Sequence, residues 1–284
     1  MRIFLIGATG VLGRALVPQL LESGHQLAVM APDRLDTLPR GVTRVKADLL
    51  DPALELAELL SGYDAVVNLA TSMPRDPAAR GAWAENTRIR SQGTSVLTRA
   101  LREAGIGRFV QMSITMAYAD GGDTWLDESA PFDADPGREA VVLPVADLEA
   151  AVMELPAREV AWTLLRGARF AGPDTMQDLQ RRQLARGALA IPGDGRTFVS
   201  MVHVADFADA VVAALLRGPA GRVFNIADEP MRVGDYFTAL AKTADCPPPG
   251  RDPHAVSEPS HRVDSTAARA DLGWKPRRGV LPVR

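Results

Sequence analysis

The chain opens on an apolar run at residues 2–6, meets a glycine-rich turn, and continues with apolar positions spaced for a helix over 11–22. The alternation then repeats. Short apolar runs at 26–30, 43–47, 64–69, 108–112 and 160–165 predict buried strands, and helix-spaced segments at 53–60, 86–104 and 148–155 fall between them. Pro52 stands where the helix over 53–60 would begin, and Gly105 closes the long amphipathic one. Strands apolar on both faces need cover on both faces. The pattern therefore predicts an α/β fold, a doubly wound parallel sheet with helices on either side. Past residue 167 the character changes. Helices are predicted at 176–186, 204–216, 234–242 and 266–272, with a strand at 222–226 that completes the sheet. Asp206 and Asp209 are assigned to the polar side of the helix over 204–216. Residues 191–196 are rich in turn formers, and 246–259 read as an irregular, proline-stiffened loop.

Composition narrows the classes. Of 284 residues, 46% are hydrophobic and 24% charged, the balance of a folded chain rather than a disordered or fibrous one. The net charge is −3, so there is no basic excess to act as a footprint for nucleic acid. Cys246 is the sole cysteine, which excludes an internal disulfide and a multi-cysteine zinc site. His25, His254 and His261 show no metal-ligand spacing, and no metal is expected. No uncharged apolar run reaches the ~18 residues of a membrane helix. Arg2 and the uncharged stretch after it read as a strand entering a turn rather than a leader, because glycines and Thr9 dilute it and Arg14 ends it. The expectation is a cytoplasmic protein with a small-molecule substrate and neither nucleic-acid nor membrane partners.

The strongest motif is Gly7-Ala8-Thr9-Gly10-Val11-Leu12-Gly13, between a predicted strand and a predicted helix. Gly7 permits a tight turn, Gly10 lets backbone approach a pyrophosphate, and Gly13 lets the helix pack closely on the strand. Its spacing, Gly-x-x-Gly-x-x-Gly, resembles the short-chain dehydrogenase/reductase superfamily in its extended epimerase/dehydratase branch. Further landmarks follow in the same order. They are Ala47-Asp48-Leu49, Asn68-Leu69-Ala70, Asn86 with Gly93-Thr94, Leu165-Arg166-Gly167, Gly172-Pro173, Val202-His203-Val204-Ala205-Asp206, Phe224-Asn225-Ile226 and Leu272-Gly273-Trp274-Lys275-Pro276. The resemblance implies a Rossmann-like dinucleotide-binding domain over residues 1–166 and a small substrate-binding lobe over most of 167–284. It also implies an NAD(P) cofactor held by Gly7, Thr9, Gly10, Val11, Leu12, Gly13, Asp48, Leu49, Leu69 and Ala70, and a homodimer paired through the long fourth helix and the one after it. Asp33 has the spacing of a ribose-binding acid but lies after Pro32, past the expected strand end. Arg34 beside it suits a 2′-phosphate, so NADP is favoured over NAD.

The resemblance breaks where its chemistry should be. The superfamily works with Ser or Thr, Tyr and Lys, and the register assigns these to Ile114, Val141 and Val145. No Tyr lies between Tyr118 and Tyr236, and no Lys between Lys46 and Lys242, so a register shift restores no pair. Aliphatic side chains cannot carry a transferring proton. Ser113, Thr115 and Tyr118 are the remaining catalytic candidates; Arg169, as an anion anchor, and His203, as a proton donor, are the substrate-side candidates. The loop after Tyr118 carries Asp120, Asp123, Asp127 and Glu128, which read as hydrogen-bonded turn residues rather than a cation site. Three functions stay open: an NAD(P)-dependent oxidoreductase or epimerase-like enzyme with a non-standard site, an inactive NAD(P)-binding redox sensor, and a non-redox enzyme using the acidic loop.

Overall fold

A computed structural model describes residues 1–74, 79 and 81–281. Seven strands form one sheet: β1 (Arg2–Ile6), β2 (Gln26–Ala31), β3 (Val42–Lys46), β4 (Ala65–Asn68), β5 (Arg108–Ile114), β6 (Ala161–Gly167) and β7 (Arg222–Ile226). Their order is β7-β6-β5-β4-β1-β2-β3, and every pairing is parallel. The order reverses between β1 and β4. The carboxyl ends of those two strands therefore flank the crevice where such sheets bind ligands.

Strand periodicity distributes the core. Ile3 and Leu5 of β1 face one side, beneath α1 (Val11–Glu22) and a later helix, Val204–Arg217, through Leu16, Val17, Phe207 and Val211. Phe4 and Ile6 face the other side, with Leu60 of α2 (Leu56–Leu60), Leu97 and Leu101 of a helix at Thr94–Glu103, and Leu148 of a helix at Glu139–Met153. The helices between those of α1 and α2 and the chain's end are α3 (Ala84–Arg88), α4 (Thr94–Glu103), α5 (Glu139–Met153), α6 (Met176–Ala185), α7 (Val204–Arg217), α8 (Val233–Thr243) and α9 (Thr266–Asp271). A third apolar cluster of Ala171, Leu184, Met201, Tyr236 and Leu240 holds α6 and α8 together.

Four sequence expectations are corrected. The helix expected over 53–60 starts at Leu56, because the Asp51 carbonyl and carboxylate bind the Leu54 and Ala53 amides in a turn. The helix expected over 148–155 begins at Glu139 and runs through Pro144. Burial of Val142, Val145, Leu148 and Val152 on one face outweighs the bond that proline forfeits. The single helix expected over 86–104 is α3 and α4 joined by a π-helical turn, Ile89–Gly93. Asp206 is not on a polar face but fully buried. It accepts the Arg277 and Arg278 amides and the Arg278 guanidinium, so a segment seventy residues on decides its fate.

Candidate functional site

The turn after β1 is shaped by contacts that only glycine permits. Gly7 has φ +77°, and a Cβ there would lie 2.5 Å from the Ala70 Cα just beyond β4. A Cβ on Gly13 would lie 2.0 Å from the Ala8 carbonyl oxygen. Both glycines serve close packing of the turn on its own scaffold. Gly10 differs, since a Cβ there would meet nothing nearer than the Gly7 carbonyl oxygen at 3.7 Å. Its bareness leaves space above the loop rather than relieving a clash below it. Gly10 caps α1 without a side-chain bond, and the first turn carries no acid. The helix thus presents uncapped amides and the positive end of its dipole to the crevice, an environment that fits an anionic pyrophosphate.

The other cofactor candidates surround this turn. Thr9, Leu12, Leu49 and Leu69 are buried, Val11 and Ala70 half-buried. The Leu69 amide donates to the Ile6 carbonyl at 2.9 Å, tying the end of β4 to β1. The Asp48 carboxylate accepts the Leu50 amide at 2.9 Å and shapes the turn that presents Leu49. Arg34 follows β2 with φ +55° and is exposed, paired only loosely with its neighbour Asp33 at 3.3 Å. Two landmarks of the resemblance, Asn68 and Asn86, brace the crevice, together with Gln111, which sequence reasoning passed over. Asn68 donates to Gln111 at 2.9 Å and accepts the Ala70 amide, and Asn86 accepts the Ser72 amide at 3.2 Å.

At the end of β5 the structure brings Ser113 and Tyr118 into one buried network, and leaves Thr115 beside it. Ser113 Oγ donates to Glu149 of α5 at 2.6 Å. Arg166 of β6 grips the same carboxylate through Nε (2.9 and 3.2 Å) and Nη2 (2.6 Å). Arg166 Nη1 also donates to the Tyr118 hydroxyl at 2.7 Å, and that hydroxyl donates to Asn225 at 2.7 Å. Burial opposes the Arg166 charge, but its bonds to Glu149 hold its pKa above the usual range. Burial pushes the Tyr118 phenol up to about 12, against the pull of Arg166. Tyr118 is thus a neutral, fully engaged phenol near pH 7, with no exposed surface. Thr115 reaches only the Gly167 carbonyl, at 3.5 Å. Beside this network stand the aliphatic positions: Ile114 half-buried, Val145 buried and Val141 partly exposed. Glu149 and Arg166 were visible in the sequence as charges inside apolar runs, a signal of buried pairing.

The substrate-side candidates are separately occupied. Arg169, on the short strand Arg169–Ala171, is ion-paired with Glu258. His203 caps α7, its Nδ1 accepting the Ala205 amide at 3.2 Å, and burial lowers its pKa. In the acidic loop, Asp120 accepts the Gly122 and Ser260 amides, Asp123 pairs with Arg232, Asp127 binds Ser129, and Glu128 accepts the Asn225 amide. Among the described residues no helix is long and apolar enough to cross a membrane.

Comparisons with known proteins give the family and agree with the fold. The profile of the NAD dependent epimerase/dehydratase family matches residues 3–227. The chain is 33% identical to a 3-diazoavenalumate denitrifying reductase of a Streptomyces species, over 97% of this chain and 96% of that protein. It is 28% identical to a 4-hydroxy-2-methyl-3-oxo-4-farnesyl-3,4-dihydroquinoline-1-oxide ketoreductase of Stigmatella aurantiaca, over 86% and 73% of the two chains. Among solved structures, MoeE5 in complex with UDP-glucuronic acid and NAD superposes with a TM-score of 0.81 at 23% identity, covering 99% of this chain and 95% of that one.

Proposed function

This chain belongs to the NAD dependent epimerase/dehydratase family, and from that premise we propose that it is an NAD(P)H-dependent reductase whose small organic substrate needs no proton from the protein. The supporting observation is the pairing of an intact nucleotide turn with aliphatic residues at 114, 141 and 145, the positions assigned to the usual proton relay. The turn shaped by Gly7 and Gly13, with the bare Gly10 and the α1 N-terminus, would hold the pyrophosphate, and Asp48, Leu49, Leu69 and Ala70 would line the rest of the nucleotide's crevice. When bound, the reduced nicotinamide supplies a hydride. Half-buried Ile114 and buried Val145 form an apolar wall that, like the exposed Val141, neither gives nor takes a proton. Ser113 and Tyr118 position this wall through Glu149 and Arg166, and Thr115 through the Gly167 carbonyl.

Such a site suits an electrophile that expels a neutral leaving group, or that takes its proton from water. The Streptomyces relative is named for a reduction with denitrification of a diazo compound, which is chemistry of that kind. NADP is the preferred nucleotide, because Arg34 is exposed at the end of β2 and its partner Asp33 holds it weakly. The division at residue 166, a homodimer through α4 and α5, and a cytoplasmic setting without nucleic-acid or membrane partners complete the reading.

The test is a titration of purified protein with NADPH and NADH followed by nicotinamide fluorescence, then a screen of activated carbonyls, alkenes and diazo compounds for loss of nicotinamide absorbance. Tight NADPH binding with turnover supports the reductase. Binding without turnover on any class moves the protein to a redox-sensing role. Absence of binding at millimolar nucleotide removes both.

A further inference from the structure

Arg90 is the one buried cation whose charge nothing described neutralises. It lies in the π-helical turn Ile89–Gly93 with 7% of its surface exposed. Its Nε and Nη1 are buried, and neither has a hydrogen-bond partner among the described residues. Arg138, Arg181 and Arg262 also leave Nε without a hydrogen bond, but each bonds through another guanidinium nitrogen, and Arg138 is ion-paired with Asp133 as well. Thr94, one turn after Arg90, is fully buried and its Oγ1 is unpaired as well. Three unpaired polar atoms on one stretch of helix break the rule that buried donors and acceptors are satisfied. They mark a place built to receive polar atoms from elsewhere.

Local packing shows where that place is. Asn86, one turn before Arg90, holds the Ser72 amide in the segment after β4. A Cβ on Gly93, three residues on, would stand 2.9 Å from Leu49. Arg90 therefore sits between a residue bonded to the segment after β4 and one packed against Leu49 of the proposed nucleotide site. The π turn packs against α5, and the carboxylate whose field reaches Arg90 is Glu149. Glu149 is one helical turn from Val145, on the same face. It offers Arg90 little compensation, because Arg166 and Ser113 already occupy its oxygens. The cluster of Arg90, Arg166 and Glu149 thus keeps one net positive charge inside the protein. Burial lowers the Arg90 pKa to about 10, with Glu149 opposing, so the group remains charged at neutral pH.

A buried charge without a partner is costly, and removing that cost is a source of affinity for the ion that supplies the partner. The free Nε–H and Nη1–H groups lie on different edges of the guanidinium, so each offers one charged donor to an anion oxygen, and the Thr94 hydroxyl offers a further one. We propose that Arg90 is the anion anchor of the substrate site and that the substrate of this chain carries a carboxylate, which Arg90 and Thr94 receive. The proposal rests on the reductase reading for the word substrate; the anion site itself does not depend on it. It also assigns the anchoring role to a residue other than Arg169, which is already paired with Glu258.

Acetate and benzoate, with acetamide and benzamide as neutral isosteres, make the test independent of the substrate's identity. Each is titrated into the protein alone, read by thermal shift, and into the NADPH-saturated protein, read by nicotinamide fluorescence. The acids should stabilise the protein and perturb the fluorescence, and the amides should not. Arg90→Met should weaken the acid response by about tenfold or more, the scale of a lost charged hydrogen bond, and Arg90→Lys should retain part of it. NADPH affinity of Arg90→Met should stay within about twofold of wild type, since the nucleotide turn is untouched. Equal responses to acids and amides, or an unchanged acid response in Arg90→Met, overturn the proposal. Should Arg90→Met not fold, the acid–amide comparison on wild type and Arg90→Lys decides alone. Failure of NADPH to bind overturns the reductase reading, whereas the thermal-shift comparison still decides the anion site.

Discussion

Two glycines three residues apart make different demands on one turn. Gly13→Val places side-chain atoms where the Ala8 carbonyl already sits, and backbone cannot yield as a side chain would. We expect a loss of about 1–3 kcal/mol or more in urea unfolding. Gly10→Ala has room within the fold, so its unfolding midpoint should match wild type while NADPH affinity falls by about tenfold, because the methyl occupies the space meant for phosphate. Equal NADPH affinity in Gly10→Ala and wild type would dissociate the turn from the nucleotide. The network at Glu149 belongs to the same scale. Arg166→Met strands a buried carboxylate and should cost about 3–5 kcal/mol, measured by the same method. Tyr118→Phe removes a hydroxyl bonded to Arg166 and Asn225 and should cost about 1–3 kcal/mol, with turnover per folded molecule largely kept. The glycines were legible because a missing side chain is written in the sequence. The network was not, because its members come from positions 113, 118, 149, 166 and 225, and only folding puts them together.

The elements were legible where burial repeats at a fixed period and less so where something else competes. β1, β2, β4, β5 and β6 stood out as apolar runs because both faces of each are covered, whereas the edge strand β3 is largely exposed. The start of α5 was hidden by Pro144, whose local preference against a helix interior is overruled by the apolar face it shares with Val142, Val145 and Leu148. The π turn was hidden for another reason: one residue more per turn leaves no clear mark in an amphipathic pattern. It places Gly93 against Leu49 and Arg90 toward α5. Gly93→Ala should push Leu49 aside by a few tenths of an ångström or more. The neighbour is a side-chain end, so we expect a modest fall in melting temperature and a several-fold weaker NADPH affinity, read by thermal shift and fluorescence. Unaltered affinity would show that Leu49 is no part of the nucleotide pocket.

For the whole molecule, the titrating groups predict a bounded range of stability. Burial lowers the pKa of His203 and His261 from 6.5, with the hydrogen bond from His261 Nε2 to the Tyr118 carbonyl opposing at His261. The unfolded chain takes up these protons first as pH drops, so their contribution is lost as pH falls through 6.5. Burial pushes Tyr118 and Tyr236 from 10.0 up to about 12. The unfolded chain releases those protons first, so their contribution is lost as pH rises beyond 10.0. Arg90, depressed to about 10, works against that slope because the native state sheds its proton earlier. Urea midpoints across pH should show both flanks, with a shallower alkaline one in Tyr236→Phe; a flat alkaline limb in wild type would contradict the buried phenols. Exposed Val141, Leu143 and Met153 on α5 carry the dimer expectation to the same scale. Light scattering should return twice the 30.4 kDa chain mass, and Leu143→Glu should shift it toward the monomer.

What the sequence determined by itself is the α/β class, the strand succession, the nucleotide turn and the family, because each is carried by neighbours along the chain: apolar period, glycine spacing, and the order of landmarks. What the tertiary structure alone decided is the state of the charged groups. Asp206 became a buried anchor for Arg277 and Arg278, Glu149 a partner of Arg166, and Arg90 a buried cation with no such partner among the described residues. A charge inside an apolar run signals burial, as for Glu149 and Arg166, but the sequence does not say which partner it will meet. Its free energy depends on the dielectric and on the counter-charge brought to it, and both are set by segments distant in the chain and adjacent only in the fold.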